Sequence, residues 1–391
     1  MTKMMITNQI LIVSRSRAFS HSVVFQKMQL HLHFFNPKGL HTLSIVPVVV
    51  YFNPDVSPGN ILWTLKKNPK LSGLLQAAPL LTVRDLNKKN FSTKCTTRTT
   101  HFITGFSDAE GCFMIPIVKS NRCKLGFQVQ AKFQICLHEK DLQLLSMIQS
   151  NLGVGSIIKG KGTAIYCVAN LKEITDVLIQ HFEKYPLMTQ KRADYELFKQ
   201  AVKFVQNKEH LTIEGLRKIL SVKATMNNGL SDSLNAAFPG TTPVPRPLVI
   251  GKEVEPNWLA GFVEGEGCFF VNVRKSRSHI LGETVALRFK ITQHTRDAIL
   301  MENILNFFGC GSCHKNSSGT IIVFSVERLV DLTEKIIPFF DRHPLKGSKA
   351  KDYEDFKKVV ELVRCGAHLT ALGLNKIRKI KSGMNYFRSQ D

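Results

Sequence analysis

The sequence predicts an α+β protein made of two pseudo-symmetric copies of an αββαββα unit, each with its own antiparallel sheet. Two observations lead to this prediction. A segment of eleven residues that begins at residue 103 recurs later in the chain. After each copy, apolar and polar side chains alternate as they do in strands with one buried face. The repeat is the stronger observation, because a duplicated unit on one chain implies a pseudo-twofold object.

The repeat continues well beyond the recurring segment, in a register that changes only once. Residues 103–113 (ITGFSDAEGCF) recur as residues 259–269 (LAGFVEGEGCF), an offset of 156 residues. The offset persists downstream and becomes 158 after a slip of two residues. Matching pairs include Phe133 with Phe289, His138 with His294, Asp141 with Asp297, Pro186 with Pro344, Asp194 with Asp352, His210 with His368, and Met226 with Met384. These matches indicate a tandem duplication.

Composition divides the chain into four regions. Residues 96–228 and 257–391 hold the two copies, and residues 229–256, which contain five prolines, predict an extended linker. Residues 1–95 are expected to be a poorly ordered leader. Their first 54 residues hold no Asp or Glu, which is typical of an organelle transit segment and predicts a mitochondrial protein. A disordered leader, or translated sequence upstream of the folded protein, would have the same composition.

A large excess of basic residues points to a polyanionic partner. The chain has 53 Lys and Arg against 30 Asp and Glu, a net charge of +23. Such a charge suits double-stranded DNA, although a basic ribosomal or mitochondrial protein would also carry it. No apolar run is long enough to cross a bilayer, so no membrane partner is expected. The residues from Cys310 to His314 match the spacing for c-type haem, but the first copy has no cysteine or histidine there, so this match is attributed to chance.

Alternating residues of the predicted strands form a polar face that is suited to bases in a DNA groove. Gln and Asn pair with adenine in the major groove, and Arg and Lys pair with guanine. An ordinary solvated sheet face would instead mix basic and acidic residues. The candidate DNA-binding residues are Gln128, Gln130, Lys132 and Gln134 in the first copy, and Asn272, Arg274, Ser276, Thr284, Arg288 and Lys290 in the second. In the first copy, Pro116 predicts an edge or a bulge, since it cannot donate to a ladder.

Two glutamates, Glu110 and Glu266, are the candidate catalytic residues. Small residues stand four apart in each repeated segment, at Gly105 and Ala109 and at Gly261 and Gly265. Small residues at this spacing let two helices approach closely, which would bring the two glutamates together at the helix ends. Paired carboxylates there repel each other unless a cation binds, with the carbonyls of Ala109 and Gly265 as further ligands. Two structural acids that cap helices are the alternative.

These segments resemble the LAGLIDADG motif, and residues 98–387 resemble single-chain LAGLIDADG homing endonucleases of fungal organelle introns. The resemblance implies a monomer whose two sheets form a DNA-binding saddle. It implies cleavage of a long specific DNA site with Mg²⁺ shared between the acids at the eighth motif position, Glu110 and Glu266. The acids at the sixth position, Asp108 and Glu264, are then mainly structural. Basic residues near the scissile phosphates are expected at Lys159, Lys161 and Lys315, where His314 and Asn316 are alternatives to Lys315.

Two other functions remain open for this scaffold. An RNA maturase of the host intron would bind RNA and could retain the fold without the acids. A DNA-binding regulator would bind its site tightly without cutting it. The presence of both acids favours the endonuclease.

Overall fold

The computed structural model describes residues 5–10, 24–36, 39–44, 48–52, 94–249, 251 and 253–385. The chain divides into two compact units, residues 1–90 and 91–391. In the first unit, strands β1 (Met5–Ile10), β3 (Gly39–Ser44) and β4 (Val48–Phe52) each pair in antiparallel fashion with β2 (Val24–Asn36). The sequence predicted a poorly ordered leader here, whereas the structure places these four strands. The assignment of residues 1–95 as a leader stays a prediction.

The second unit contains the two halves of the duplication, in the order that the sequence predicted. The first half comprises α1 (Lys94–Glu110), β5 (Gly111–Met114), β6 (Ile117–Lys119), β7 (Phe127–Val129), β8 (Lys132–His138), α2 (Leu142–Leu152), β9 (Ser156–Lys159), β10 (Thr163–Val168), α3 (171–184), α4 (Lys191–Gln206) and α5 (Ile213–Thr225). The second half comprises α7 (Pro256–Glu266), β11 (Gly267–Lys275), β12 (Glu283–His294), α8 (Ala298–Phe308), β13 (Ser312–Lys315), β14 (Ile321–Val326), α9 (329–342), α10 (Lys349–Arg364) and α11 (Ala371–Ser382). The predicted αββαββα unit is confirmed, with two further helices after it in each half.

The two four-stranded sheets of this unit have the same topology, and β6 and β7 form a separate two-stranded antiparallel ladder. The strand orders of the four-stranded sheets are β5-β8-β10-β9 and β11-β12-β14-β13, and all pairs are antiparallel. Each sheet buries one face against its own aromatic cluster, in which five rings occupy equivalent positions of the two halves. The rings are Phe113, Phe133, Phe182, Tyr195 and Phe198 in the first half, and Phe269, Phe289, Phe340, Tyr353 and Phe356 in the second. The ring centroids lie near 5 Å apart, most pairs are tilted or edge-to-face, and Phe269 and Phe289 are stacked.

The glycines that repeat after α2 and α8 have a conformational reason. Gly153 and Gly309 end these helices in the left-handed conformation, with φ of 72° and 58°. Two residues later, Gly155 and Gly311 also have positive φ, and a Cβ there would lie 2.8 and 2.5 Å from carbonyl oxygens of the neighbouring strand. The helix-to-strand turn in each half therefore requires glycine twice.

The strands of the first half are shorter than the sequence predicted. Residues 127–135 were expected to form one strand, but the structure breaks it at Gln130 and Ala131, between β7 and β8. The opposite strand breaks at Pro116, where the Gln130 amide donates to the Pro116 carbonyl at 3.0 Å. The predicted edge or bulge at Pro116 is confirmed, because a proline has no N–H for the ladder.

The segment between the halves is more structured than a simple tether. It contains a short helix, α6 (Asp232–Ala237), and then returns along the first half. Arg246 donates to both carboxylate oxygens of Asp194, at 2.8 and 2.9 Å, and the Val244 carbonyl accepts from Thr225. The predicted extended linker is thus docked on the first half.

One buried histidine on α3 makes the stability of the first half depend on pH. His181 is 8% exposed, and its Nε2 lies 3.0 Å from the Thr104 hydroxyl of α1. Burial, aided by the nearby His101, lowers the pKa of His181 to about 4. In the unfolded chain the imidazole has a pKa of ~6.5. The unfolded state therefore binds more protons between these values, and stability is lost as pH falls from about 6.5 to about 4.

Replacing His181 with Phe, the residue at the equivalent position 339, should remove this acid sensitivity. We expect the wild-type protein to lose about 2 kcal/mol more than His181→Phe between pH 7.5 and pH 5, because only the wild type carries the depressed imidazole. Urea unfolding at the two pH values measures the difference. Equal pH dependence of the two proteins would contradict this assignment.

Candidate DNA-cleavage site

The two repeated helices, α1 and α7, meet through backbone contacts at their glycines. A Cβ on Gly105 would lie 1.9 Å from the Trp258 carbonyl oxygen, and a Cβ on Gly261 would lie 2.0 Å from the Phe102 carbonyl oxygen. One turn further on, a Cβ on Gly265 would lie 2.3 Å from the Cβ of Ala109. The predicted small-residue contact is confirmed, and it advances in the same direction along both helices.

The glycines that follow the two helices, Gly111 and Gly267, are not required by backbone conformation. Gly267 has φ −79° and ψ 155°, an extended conformation open to any residue. What excludes a side chain is space. A Cβ on Gly111 would lie 2.6 Å from the Ser107 carbonyl oxygen, and one on Gly267 would lie 2.4 Å from the Val263 side chain.

Glu110 and Glu266 are the last residues of α1 and α7, so the helix contact brings them together. Glu110 is exposed and Glu266 is half-buried. A Cβ on Gly265, the neighbour of Glu266, would lie 3.2 Å from Oε1 of Glu110. Burial, followed by the negative charge of Glu110, raises the pKa of Glu266, while a hydrogen bond from Gln293 opposes the rise. The two carboxylates therefore repel each other at two negative helix ends.

Two lysines that sequence reasoning missed lie beside these acids. Lys191 Nζ donates to the carbonyls of Ala109 and Ser107, at 3.0 and 3.3 Å. Lys349 Nζ donates to the carbonyls of Gly265 and Val263, at 2.6 and 3.0 Å. The carbonyls of Ala109 and Gly265, expected as metal ligands, thus already accept hydrogen bonds from ammonium groups.

The environment of the two lysines is the same in both halves. Burial lowers the pKa of Lys191 and of Lys349, and the charges of Glu110 and Glu266 act in the opposite direction on both. The two lysines are 158 residues apart, the register of the downstream repeat. The repeat therefore contained the signal that could have found them.

The acids at the sixth motif position support the turns that carry these lysines. Asp108 is 3% exposed and accepts from the Met188 and Thr189 amides, at 2.8 and 3.2 Å, and from the Trp258 indole at 2.8 Å. Glu264 accepts from the Lys346 and Gly347 amides in the same way. Burial raises the pKa of both acids. Their contacts agree with the structural role expected of them.

The second sheet presents its predicted polar residues on one face. In the β11–β12 register, Arg274 lies opposite Thr284, Asn272 opposite Ala286, and Lys290 opposite Cys268. Arg288 lies opposite the partly exposed Phe270 and pairs with Glu327 at 2.8 Å. Ser276 follows the end of β11, where its hydroxyl contacts Ser278 and His279 in the turn. The face is therefore basic along β12 and contains one acid at its edge.

The first half places its candidates less regularly, on β8, on the separate β6–β7 ladder and between them. Gln128 is exposed on β7, Lys132 and Gln134 are partly exposed on β8, and Gln130 lies in the break between the two strands. Gln134 is flanked by Cys112 on β5 and Cys167 on β10. This face has fewer hydrogen-bonding groups than its counterpart.

The lysines expected near the scissile phosphates lie at exposed strand ends. Lys159 ends β9 and Lys315 ends β13, while Lys161 is exposed in the turn after β9. His314 is exposed on β13 and bonds to the Ser312 hydroxyl at 2.7 Å, and Asn316 follows the strand. Cys313 donates to the Met301 carbonyl at 3.5 Å. Their roles stay predictions.

Among the residues that the structure describes, no three His, Cys, Asp or Glu side chains lie together as a metal-binding group. In the same part of the chain, no helix is both long enough and apolar enough to cross a membrane.

Comparison with known proteins places the chain in a family. The model of the LAGLIDADG endonuclease family matches residues 103–202 and 259–360, the two halves described above. The chain belongs to the LAGLIDADG endonuclease family. Both matches begin within the repeated segments that form α1 and α7, which are therefore its two LAGLIDADG motifs.

Two curated relatives come from Neurospora crassa. Probable intron-encoded endonuclease 3 is 42% identical over 297 residues, and probable intron-encoded endonuclease 2 is 40% identical over 300 residues. These alignments cover 74% and 72% of this chain. The chain spans 55% and 64% of the lengths of these two relatives.

Solved LAGLIDADG endonucleases share the fold. The I-LtrWI homing endonuclease bound to target DNA is 42% identical, with a TM-score of 0.73 over 75% of this chain and 100% of that one. I-SmaMI, bound to uncleaved DNA in the presence of calcium ions, is 42% identical, with a TM-score of 0.71 over 73% of this chain and 98% of that one. Structures of I-SmaMI also include single lysine-to-alanine variants and their double variant.

One added methyl group at the contact between α1 and α7 should destabilise the protein. We expect Gly261→Ala to destabilise the protein by about 3 kcal/mol or more, because the new Cβ meets backbone atoms of α1 that cannot move aside. Gly383→Ala is the control, since its Cβ would have no neighbour closer than 3.6 Å. Thermal unfolding compares the two variants. Equal stability of Gly261→Ala and the control would contradict the close helix contact.

Proposed function

We propose that this chain is a site-specific endonuclease that hydrolyses one phosphodiester bond on each strand of a long DNA site. The observation that carries the proposal is the pairing of Glu110 and Glu266 at the ends of α1 and α7, each helix end bonded to a lysine. DNA is an antiparallel duplex with its own twofold symmetry, so a site with two equivalent acids matches two scissile phosphates. Because both halves lie on one chain, we propose that it acts as a monomer.

The acid pair has the chemistry of a divalent-cation site, and we propose Mg²⁺ as the ion. Two carboxylates near each other at negative helix ends favour a hard cation. The Ala109 and Gly265 carbonyls can still contribute, because a carbonyl oxygen has a second lone pair beside the one that accepts from lysine. When bound, the ion would polarise the scissile phosphate and lower the pKa of a water molecule.

Side chains of the protein would orient the attacking water, accept its proton and stabilise the developing negative charge. Glu110 and Glu266 would orient the attacking water and accept its proton, directly or through solvent. Lys191 and Lys349 hold positive charges beside the acids and would stabilise the negative charge that develops on the phosphate oxygens. We propose them, rather than Lys159 and Lys315, as the assisting lysines, because they touch the backbone next to the acids. Lys159 and Lys315 are better placed to contact the DNA backbone from the exposed strand ends.

Recognition would come from the exposed faces of the two sheets. A two-stranded β-ribbon fits the major groove, and the basic row on β12 offers guanine-directed donors. The second sheet should read its half-site more strictly than the first, where the broken β7–β8 strand and the neighbouring thiols supply fewer hydrogen-bonding groups. We propose a mitochondrial intron as the source, because relatives include proteins of an ND4 intron in Podospora anserina and of a cox1 intron in Schizosaccharomyces pombe.

Removing either acid should abolish double-strand cleavage but leave DNA binding intact. We expect Glu110→Gln and Glu266→Gln each to lower the cleavage rate by at least about 10³-fold, because only the ionised pair holds the cation. The substrate is a duplex recovered from a randomised library after cutting by the wild-type protein with Mg²⁺. Binding in Ca²⁺, measured over a salt series, should stay within a factor of about two of the wild type.

The matched control is Glu302→Gln, an exposed residue of α8, which should cut normally. If the double variant of Glu110 and Glu266 still cuts, the site assignment is wrong. If the wild type binds a specific duplex but never cuts it, a DNA-binding regulator is the better description. If it binds and supports splicing of its host intron RNA without cutting DNA, it is a maturase.

Arg288 should specify one base pair of the second half-site. We expect Arg288→Ala to reduce discrimination at that position by about 1–3 kcal/mol, because the guanidinium is the bidentate reader of guanine. Lys358→Ala is the control, since this exposed lysine pairs with Asp355 on α10. Sequencing of cleaved library members measures both. An unchanged preference at every position in Arg288→Ala would contradict the reading face.

A further inference from the structure

Each of the two lysines of the proposed cleavage site directly follows a short turn. Acidic side chains from both halves of the protein accept hydrogen bonds from each turn. The turn before α10, residues 343–348, leads into Lys349. Its own half supplies Glu264, whose Oε2 accepts from the Lys346 and Gly347 amides at 2.7 and 3.0 Å. The other half supplies Asp141, which accepts from the Ser348 amide at 2.6 Å and from the Ser348 hydroxyl at 2.9 Å. Two carboxylates thus fix the backbone next to the lysine.

Gly347 shows how tightly the two acids converge on this turn. A Cβ there would lie 2.6 Å from Oε1 of Glu264 and 3.0 Å from Oδ1 of Asp141. Any side chain would push the two carboxylates apart. The turn is therefore built for contact with both halves at once.

The turn before α4 repeats this arrangement with the halves exchanged. Its own half supplies Asp108, which accepts from the Met188 and Thr189 amides. The other half supplies Asp297, whose Oδ1 accepts from the Gln190 amide at 2.7 Å, directly before Lys191. Asp297 is 4% exposed, and a buried carboxylate is costly unless it is hydrogen-bonded.

The two crossing acids occupy equivalent positions in the halves. Asp141 and Asp297 each end a short 3₁₀ turn after the second long strand of a sheet, and a histidine, His138 or His294, caps each turn. They are 156 residues apart, so the duplication preserves the pair. The contacts are therefore reciprocal: an aspartate of each half accepts hydrogen bonds from the turn that precedes the lysine of the other half.

We infer that Asp141 and Asp297 are positioning residues that set Lys349 and Lys191 from across the interface between the halves. This inference rests on the proposed role of the two lysines in cleavage. Each lysine is in place only when the opposite half is docked, so neither acid–lysine centre is complete in one half alone. Loss of a crossing acid releases the turn and lets the ammonium group drift from the phosphate it stabilises. Misplacement by ~1 Å can lower a rate by ~10²-fold, so the effect is measurable.

The test is the rate of nicking of each DNA strand by the full-length chain. The substrate is the library-derived duplex with a different label on each strand, cut in Mg²⁺. Lys349→Met and Lys191→Met are measured first, and each should change the ratio of the two strand rates, in opposite directions. Asp141→Ala should change the ratio in the same direction as Lys349→Met, and Asp297→Ala in the same direction as Lys191→Met. We expect shifts of roughly tenfold.

A graded series distinguishes positioning from general loss of stability. Asp141→Asn keeps an oxygen that can accept from the Ser348 amide, so it should restore most of the rate that Asp141→Ala loses on the affected strand. Asp176→Ala, an exposed residue of α3, is the control and should leave both strand rates unchanged. A merely destabilised protein would lose both strand rates together.

A second measurement needs neither DNA nor metal. In the free protein, Asp141→Ala should speed hydrogen–deuterium exchange in peptides that cover residues 346–349, and Asp297→Ala should do so in peptides that cover residues 188–191. Each substitution would then act in the half that does not contain it.

The outcomes separate this inference from the proposed function. If both lysine variants cut like the wild type, the proposed lysine role is wrong and the inference falls with it. If the lysine variants change the strand ratio but Asp141→Ala and Asp297→Ala leave it unchanged or shift it the opposite way, only the inference is overturned. Equal loss on both strands in all four variants would also overturn it.

Discussion

The close backbone contact between α1 and α7 is the constraint on which the rest of the structure depends. At Gly105 and Gly261 each helix presents a bare backbone to a carbonyl of the other, and a Cβ at either position would lie within 2.0 Å of that oxygen. This approach docks the two halves in parallel register. It places Glu110 and Glu266 close together at the ends of the two helices. A looser contact would separate the acids and remove the common site.

Around this contact, Lys191 and Lys349 lie close enough for their charges to interact with those of Glu110 and Glu266. Lys191 and Lys349 bond to helix-end carbonyls rather than to Glu110 and Glu266 themselves. Asp108 and Glu264 are occupied by backbone amides. This arrangement is compatible with the proposal that the pair at the helix ends binds a cation and that the lysines stabilise phosphate. Nearly buried groups of both signs are maintained because each has hydrogen-bond partners.

The duplication gives two equivalent centres, but the halves have diverged where they would meet DNA. The second sheet has two long, continuous strands with a basic row, whereas the first is interrupted at Pro116 and opposite it at Gln130. The cores have diverged less: five aromatic rings keep their places in each half. The difference follows from their constraints. A core ring must fill a fixed space, whereas a side chain that would contact DNA can change with the base sequence of the target.

The sequence by itself determined the duplication, the αββαββα order, the polar faces of the strands and the two glutamates, because identity and periodicity are local properties that a chain displays before it folds. It predicted the break at Pro116 for the same reason, since a missing N–H is a property of the residue. Only the tertiary structure brings Lys191, Lys349, Asp141 and Asp297 into the contacts on which their proposed roles rest. Lys191 meets Ala109 across 82 positions, and Asp141 meets Ser348 across 207. The first contact forms when the first half folds, the second only once the two halves have docked, and no local pattern records which distant backbone group each side chain will reach.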